Sequence, residues 1–269
     1  MKRDLGFIDI TDCKKISEVD LKGNFWFEFD DDKYFFKKSK NINSIYNELI
    51  AEELANQFGI RCAHYDLGSN QNNIGNISKN FISKNDNFMT MRDVIIKSKL
   101  YENEDAANNL ISLWNVLSIV YKDDFIVKKL MNQLVDIFIF DVFTSQFDRH
   151  CDNFGIIENS EINISPLYDN EFLLYIDSML YGKYNLGVDI YDNYLKNDLF
   201  KKFLYISSRD YLEFIKSKLY LIENDNIIKI LNKIEYNIDC KINIDIRNDI
   251  IRKFDMNKEI INKEIKIYE

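Results

Sequence analysis

The run Phe147-Asp148-Arg149-His150-Cys151-Asp152-Asn153-Phe154, followed by Ser165-Pro166-Leu167-Tyr168-Asp169-Asn170-Glu171, decides how this chain is read. Between the two stretches, residues 154–157 and 162–165 are extended and largely apolar around Asn159-Ser160, the pattern of a β-hairpin. A turn at Asn159-Ser160 pairs Ile157 with Ile162 and Gly155 with Ile164, and sets Asn153 opposite Pro166. Proline lacks an N–H and suits the end of a strand. Asp169 follows shortly after, so the hairpin brings Asp148, Asn153 and Asp169 to one end of a rigid element. Two carboxylates at one point repel each other and resist desolvation. A hard divalent cation resolves this, because Mg²⁺ prefers a few carboxylate or amide oxygens together with substrate phosphates. In phosphoryl transfer one Asp orients the attacking hydroxyl, while an Asn and a second Asp hold the metal on the nucleotide phosphates.

Working outward, Phe25, Phe27 and Phe29 alternate with Trp26 and Glu28. Asp30-Asp31-Asp32 interrupts, and Tyr34-Phe35-Phe36-Lys37 resumes the extended pattern, which predicts a hairpin around an acidic turn. A helix follows, with Ser44 as its cap, Tyr46, Leu49, Ile50 and Leu54 on one face, and Gly59 as the residue that ends it. Residues 60–67 and 74–82 read as two further strands. Beyond about residue 90, Leu110, Leu113, Trp114, Leu117 and Val120 recur at helical spacing, as do Leu130, Leu134, Ile137 and Phe138. Helical periodicity returns from Asp189 to the end, for example at Tyr211, Leu212, Ile215 and Leu219. The outline is α+β, a small β-rich lobe over residues 1–85 followed by a larger helical lobe over 86–269.

The Asp-Arg-His-x-x-Asn run, the hairpin and Pro-Leu-Tyr-Asp resemble the C-terminal kinase domain of HipA-like serine/threonine kinases. The resemblance extends to Tyr34-Phe35-Phe36-Lys37, Asn47-Glu48 and the stretch from Ala51 to Gly59-Ile60, and covers roughly residues 20–175. It implies a two-lobed protein-kinase-like fold that uses ATP and Mg²⁺. Asp148 then matches the catalytic Asp, Asn153 and Asp169 the metal ligands, Lys37 the lysine on the nucleotide phosphates, and Glu48 its helix partner. The resemblance also implies a nucleotide between the lobes, with its adenine against residues 78–81. The family's phosphate loop is glycine-containing; here Gly23 alone precedes the Phe25–Phe29 strand and is the nucleotide-binding residue expected from that loop. Asp169-Asn170-Glu171 also departs from the Asp-Phe-Gly of eukaryotic kinases. The family's additional N-terminal domain is not expected within the residues before 20. The resemblance further implies a protein Ser or Thr substrate, such as a translation component, and a DNA-binding antitoxin partner in a toxin–antitoxin pair. Two other readings stay open: a lipid or small-molecule kinase of related fold, and a catalytically weak pseudokinase that binds without transfer.

Composition bounds these readings. The 269 residues suffice for one large domain or two small ones, and 46% hydrophobic against 29% charged residues is the balance of a soluble globular protein. With 35 basic and 44 acidic residues the net charge is -9, which argues against direct nucleic-acid binding and against work at an anionic membrane. One proline and 8 glycines are too few for a turn-rich all-β chain. Cys13, Cys62, Cys151 and Cys240 are far apart, which excludes a Cys-x-x-Cys pair and predicts reduced thiols in the cytoplasm. No apolar segment follows Met1-Lys2-Arg3-Asp4, so no secretion signal is expected.

Several residues compete for the same roles. Lys38 adjoins Lys37, but strand alternation lets only one face the nucleotide, and Lys37 directly follows the apolar strand. Glu52 and Glu53 show that helix charges near Glu48 are common. His150 is read as a structural brace of its loop, Arg149 as the partner of a carboxylate or a carbonyl, and Asp136 and Asp141 as structural charges. A second Asp-to-Asn spacing of five, at Asp192 and Asn197, makes that spacing weak evidence alone.

Overall fold

The computed structural model describes residues 2–4, 7–19, 23–39, 42–100, 110–146, 148–174 and 208–268. Asp192, Asn197 and the expected helical start at Asp189 lie outside them. Among the described residues, β1 (Lys2–Asp4), β2 (Phe7–Asp9), β3 (Lys14–Glu18), β4 (Phe25–Phe29), β5 (Asp32–Lys38), β6 (Tyr65–Asn70) and β7 (Asn73–Lys79) form one sheet. Their order is β1-β2-β6-β7-β5-β4-β3. The acidic turn closes the β4–β5 hairpin as expected, with Phe29 opposite Asp32. Asp30 and Asp31 both take positive φ, 50° and 64°, the turn whose twist matches that of its flanking strands.

Alternation along this hairpin separates two surfaces. Phe25, Phe27 and Phe36 join Ile8, Ile10 and Ile77 in a small core on one face of the sheet. Trp26, Phe35 and Lys37 point to the other face, into a cleft. Gly75 lets β7 lie close behind this lysine: a Cβ there would stand 2.1 Å from the Lys37 carbonyl oxygen.

Helix α1 (Ile42–Phe58) begins before Ser44, which therefore sits in its first turn and not at its cap. It ends, as expected, at Gly59, with φ +82°. Ile45, Tyr46, Leu49, Ile50, Ala51, Leu54 and Ala55 are all buried, so α1 is enclosed on more than one side. The expected strand over 60–67 starts only at Tyr65. Its first half pairs elsewhere: Cys62 bridges Leu167 in parallel, and Leu167 N–H donates to the Arg61 carbonyl at 2.8 Å.

A second sheet, ordered β10-β9-β8, contains β8 (Asn87–Thr90), β9 (Gly155–Glu158) and β10 (Ile162–Ile164). The β9–β10 hairpin exists, but its register differs by one residue from the sequence expectation: Ile164 faces Ile156 and Ile162 faces Glu158. The cause is a three-residue loop. Asn159 N–H donates to the Glu161 carbonyl and Asn159 Oδ1 accepts from Glu161 N–H, each at 3.0 Å. Strand β8 was not legible in the sequence. It fits against β9 because Gly155 has no side chain: a Cβ there would stand 2.2 Å from the Met89 carbonyl oxygen.

The helical part comprises α2 (Met91–Ser98), α3 (Leu110–Tyr121), α4 (Asp124–Thr144), α5 (Ser208–Lys218), α6 (Asn224–Ile238) and α7 (Ile244–Tyr268) among the described residues. Thr90 and Asp93 form a reciprocal capping box on α2. Asp123 caps α4 through the N–H groups of Phe125 and Ile126. The apolar faces of α3, α4 and α6 meet α1 in one continuous core.

Candidate active site

Lys37 lies on β5 opposite Asn76 of β7. The Asn76 side chain donates to the Ile45 carbonyl at 2.8 Å and so ties the sheet to α1. One helical turn further, Glu48 points inward with its side chain 1% exposed. Its Oε1 stands 3.8 Å from Lys37 Nζ and carries no hydrogen bond. Its Oε2 accepts from the backbone N–H and the side-chain amide of Asn170, at 2.9 and 3.2 Å. The buried glutamate thereby links the lysine strand to the loop that follows Asp169.

Asp169 has φ 60°, a left-handed conformation that Asp tolerates better than most residues. Its backbone is clamped on both sides. Asp169 N–H donates to the Tyr65 hydroxyl at 3.2 Å, and Gln146 Nε2 donates to the Asp169 carbonyl at 3.1 Å. Its carboxylate contacts Lys37 Nζ directly, and Glu171 Oε2 lies 3.2 Å from the same nitrogen.

The loop carrying Asp148 is held by its own turns and by Arg149. Asn153 Nδ2 donates to the Asp148 carbonyl at 2.7 Å, which leaves Oδ1 as the oxygen this side chain can offer a cation. Arg149 is buried and donates to the Asp141 carboxylate, to the Tyr168 carbonyl at 3.0 Å and to Asn170 Oδ1 at 2.8 Å. The expected carboxylate and carbonyl partners of Arg149 are thus both present, and Asp141 is a structural charge. His150 is 45% exposed and braces the loop locally: its Nδ1 accepts the Asp152 N–H at 3.3 Å and lies 3.8 Å from the Asp152 carboxylate, and its carbonyl accepts the Asn153 N–H at 2.9 Å, whereas Arg149 ties the loop to α4 and to Tyr168. Tyr168 adds a hydrogen bond from its hydroxyl to the Asp152 carbonyl, 2.6 Å.

Electrostatics follow from burial and crowding. Burial works against the Lys37 charge, but the carboxylates of Glu48, Asp169 and Glu171 outweigh it and hold the ammonium well above the usual lysine range. Burial pushes the Glu48 carboxyl up to about 6; the Asp169 charge adds to this, while Lys37 and the Asn170 donors oppose it. Burial also raises the Asp148 carboxyl. His150 opposes that rise, the charges of Asp169 and Glu171 reinforce it, and Lys37 opposes it again.

Several of these side chains border a cleft of about 610 Å³, within the size range of small-molecule sites. Trp26 and Phe35 line it from the sheet, Ser78 to Ile82 along its edge, and Phe88 and Tyr168 from the other side. Phe81, Phe88 and Tyr168 contact one another, with ring centroids 5.6 to 6.4 Å apart. Lys37, Glu48, Asn153 and Asp169 all face this cleft. Asp148 is half-buried beside it and within electrostatic range of Lys37 and Asp169. Gly23 has φ +93° just before β4; its neighbour Asn24 and nearby Val19 line the cleft, but Gly23 does not. Among the described residues no three His, Cys, Asp or Glu side chains converge as a ready-made metal cage. An amide oxygen and one or two carboxylates suit Mg²⁺, which takes few protein ligands and completes its shell with phosphates and water. Tyr65 and Gln146 were not singled out from the sequence, and Asn170 was quoted there without its role. Nothing in their spacing marks them, because each acts through a partner distant in the chain.

No family model matches the chain. In sequence it is 26% identical over 215 residues to the serine/threonine-protein kinase CtkA of Helicobacter pylori, a match covering 75% of this chain and 63% of that protein. The chain therefore spans less than two thirds of that relative's length. In structure it is similar to the crystal structure of the Helicobacter pylori proinflammatory kinase CtkA, with a TM-score of 0.60 and 19% identity over 97% of this chain and 99% of that one. It is also similar to a chain of the Shewanella oneidensis toxin–antitoxin complex of HipA, HipB and operator DNA, with a TM-score of 0.57 and 14% identity, covering 86% of this chain and 58% of that one. Homology to CtkA and likeness in structure to CtkA and HipA give this chain the α+β fold of the HipA-like serine/threonine kinases.

Proposed function

We propose that this chain is an ATP- and Mg²⁺-dependent serine/threonine protein kinase, with lobes over 1–85 and 86–269. The observation that carries this reading is the meeting of Lys37, Glu48, Asn153 and Asp169, from four separate segments, on the lining of one cleft, with Asp148 in electrostatic range of Lys37 and Asp169. Lys37 would hold the α- and β-phosphates, with Glu48 fixing its ammonium. Asn153 Oδ1 and the Asp169 carboxylate would hold Mg²⁺, which screens the charge on the phosphates when bound. The Asp148 carboxylate orients the Ser or Thr hydroxyl and accepts its proton as that oxygen bonds to the γ-phosphorus and ADP departs. Adenine fits between Trp26 and Phe35 on one side and the Phe88–Tyr168 pair on the other, along residues 78–82.

The HipA structure is a complex with HipB and operator DNA, and an antitoxin is the partner we propose for this chain as well. The cytoplasm is the compartment we propose; no helix among the described residues is long and apolar enough to cross a membrane. One observation favours a second reading, a nucleotide-binding pseudokinase: Gly23 does not line the cleft. The deciding experiment pairs a thermal shift with Mg-ATP and a radiolabel transfer assay. The kinase reading expects both binding and transfer; binding without transfer establishes the pseudokinase, and the loss of both rejects each.

A further inference from the structure

We infer that Glu171 is a further cation ligand of this site, and that a divalent cation binds there in exchange with the Lys37 ammonium. The inference deepens the kinase reading and rests on it. Three carboxylates surround Lys37 Nζ: Asp169 in direct contact, Glu171 at 3.2 Å and Glu48 at 3.8 Å. They are not equivalent. The Asp169 and Glu171 side chains are 36% and 28% exposed, whereas that of Glu48 is 1% exposed, and its Oε1 lacks any hydrogen bond.

A buried carboxylate oxygen without a donor is costly, so Glu48 Oε1 is a place for a cationic N–H to settle. The cationic group beside it is Lys37 Nζ, and Asp169 and Glu171 hold that nitrogen closer to themselves than to Glu48. Those two carboxylates converge on a single point of positive charge, and Asp169 shares the lining of the cleft with Asn153. A divalent ion competes for two carboxylates more strongly than an ammonium does, and hard oxygens are its preferred ligands. Its arrival frees Nζ to close on Glu48. The backbone supports the exchange: Asn47 Nδ2 donates to the Glu171 carbonyl at 2.7 Å, so Glu171 is anchored to the helix turn that carries Glu48.

The test uses Mn²⁺ alone as the probe, titrated without nucleotide and followed by electron paramagnetic resonance on the full chain. The wild type is expected to bind. Glu171→Gln weakens Mn²⁺ binding by about tenfold or more, Glu171→Asp restores most of it, and Lys37→Met tightens it by removing the competitor. A wild type that binds no Mn²⁺ overturns the inference. So does a Glu171→Gln variant with wild-type affinity, or a Lys37→Met variant that binds no more tightly. Failure of the kinase reading is distinguishable: Mn²⁺ binding that responds to Glu171, with neither ATP binding nor transfer, rejects the reading and leaves the cation site standing. Transfer together with Mn²⁺ affinity indifferent to Glu171 does the opposite.

Discussion

Arg149 and Asp141 form a buried ion pair, Nη2 to Oδ1 at 2.9 Å, with side chains 3% and 1% exposed, and through it α4 holds the loop from Asp148 to Asn153. The same guanidinium reaches the Tyr168 carbonyl and Asn170, so one residue aligns both loops of the site. Replacing Arg149 with Leu leaves the Asp141 carboxylate buried without its partner. Such a break costs about 3–5 kcal/mol, which urea denaturation will read as a lower midpoint. The double variant Arg149→Leu/Asp141→Leu is expected to regain a large part of that loss. A single variant as stable as the wild type would remove the pair from any structural role.

Asp148→Ala is expected to lower phosphoryl transfer by about two to four orders of magnitude, while the thermal shift produced by Mg-ATP persists. Asp169→Ala is expected to lose both the shift and the transfer. Radiolabel transfer that is unchanged in the Asp148 variant would reject the role given to that residue.

Glu48 makes stability depend on pH. Its carboxyl rises from 4.5 to about 6 on folding, chiefly through burial. Between these values the folded chain holds a proton that the unfolded chain has released. Stability therefore falls as pH rises through this window, by about 2 kcal/mol, and is level above it. Glu48→Gln removes that component, so the difference in stability between variant and wild type should grow from pH 4.5 to 6 in the variant's favour. Parallel pH–stability curves for the two proteins would contradict this.

Tyr65→Phe removes the hydroxyl that receives the Asp169 N–H. Tyr65 is itself buried. An unpaired group of this kind costs about 1–3 kcal/mol. The loss is expected in denaturation midpoints and in weaker Mg-ATP binding measured by calorimetry, since the clamp on Asp169 is loosened. Full retention of Mg-ATP affinity would show that Asp169 needs no help from Tyr65.

The sequence revealed what repeats or alternates. The Phe25–Phe29 alternation, the acidic turn and the α1 stripe gave the hairpin, the lysine strand and the glutamate helix. Strand β3 was invisible because Lys14, Lys15, Ile16, Ser17 and Glu18 are all exposed and carry no alternation. Strands β1, β2 and β8 have at most four residues, too few to show a period. The β9–β10 register slipped by one because the loop length depends on a local hydrogen bond of Asn159, which residue type alone does not announce. In the site, Lys37, Glu48, Asn153 and Asp169 were legible as an ordered set of chemical types. Tyr65 and Gln146 were not, because their contribution is a hydrogen bond to backbone that arrives only through the tertiary fold.

Helix α1 touches the sheet through its tie to Asn76 and the helical half through the core it shares with α3, α4 and α6. Neither half then possesses a finished surface of its own. Severing the polypeptide near residue 85 should yield two fragments that precipitate when made separately and recover only when made together, and a calorimetric scan of the intact protein should trace a single melting peak.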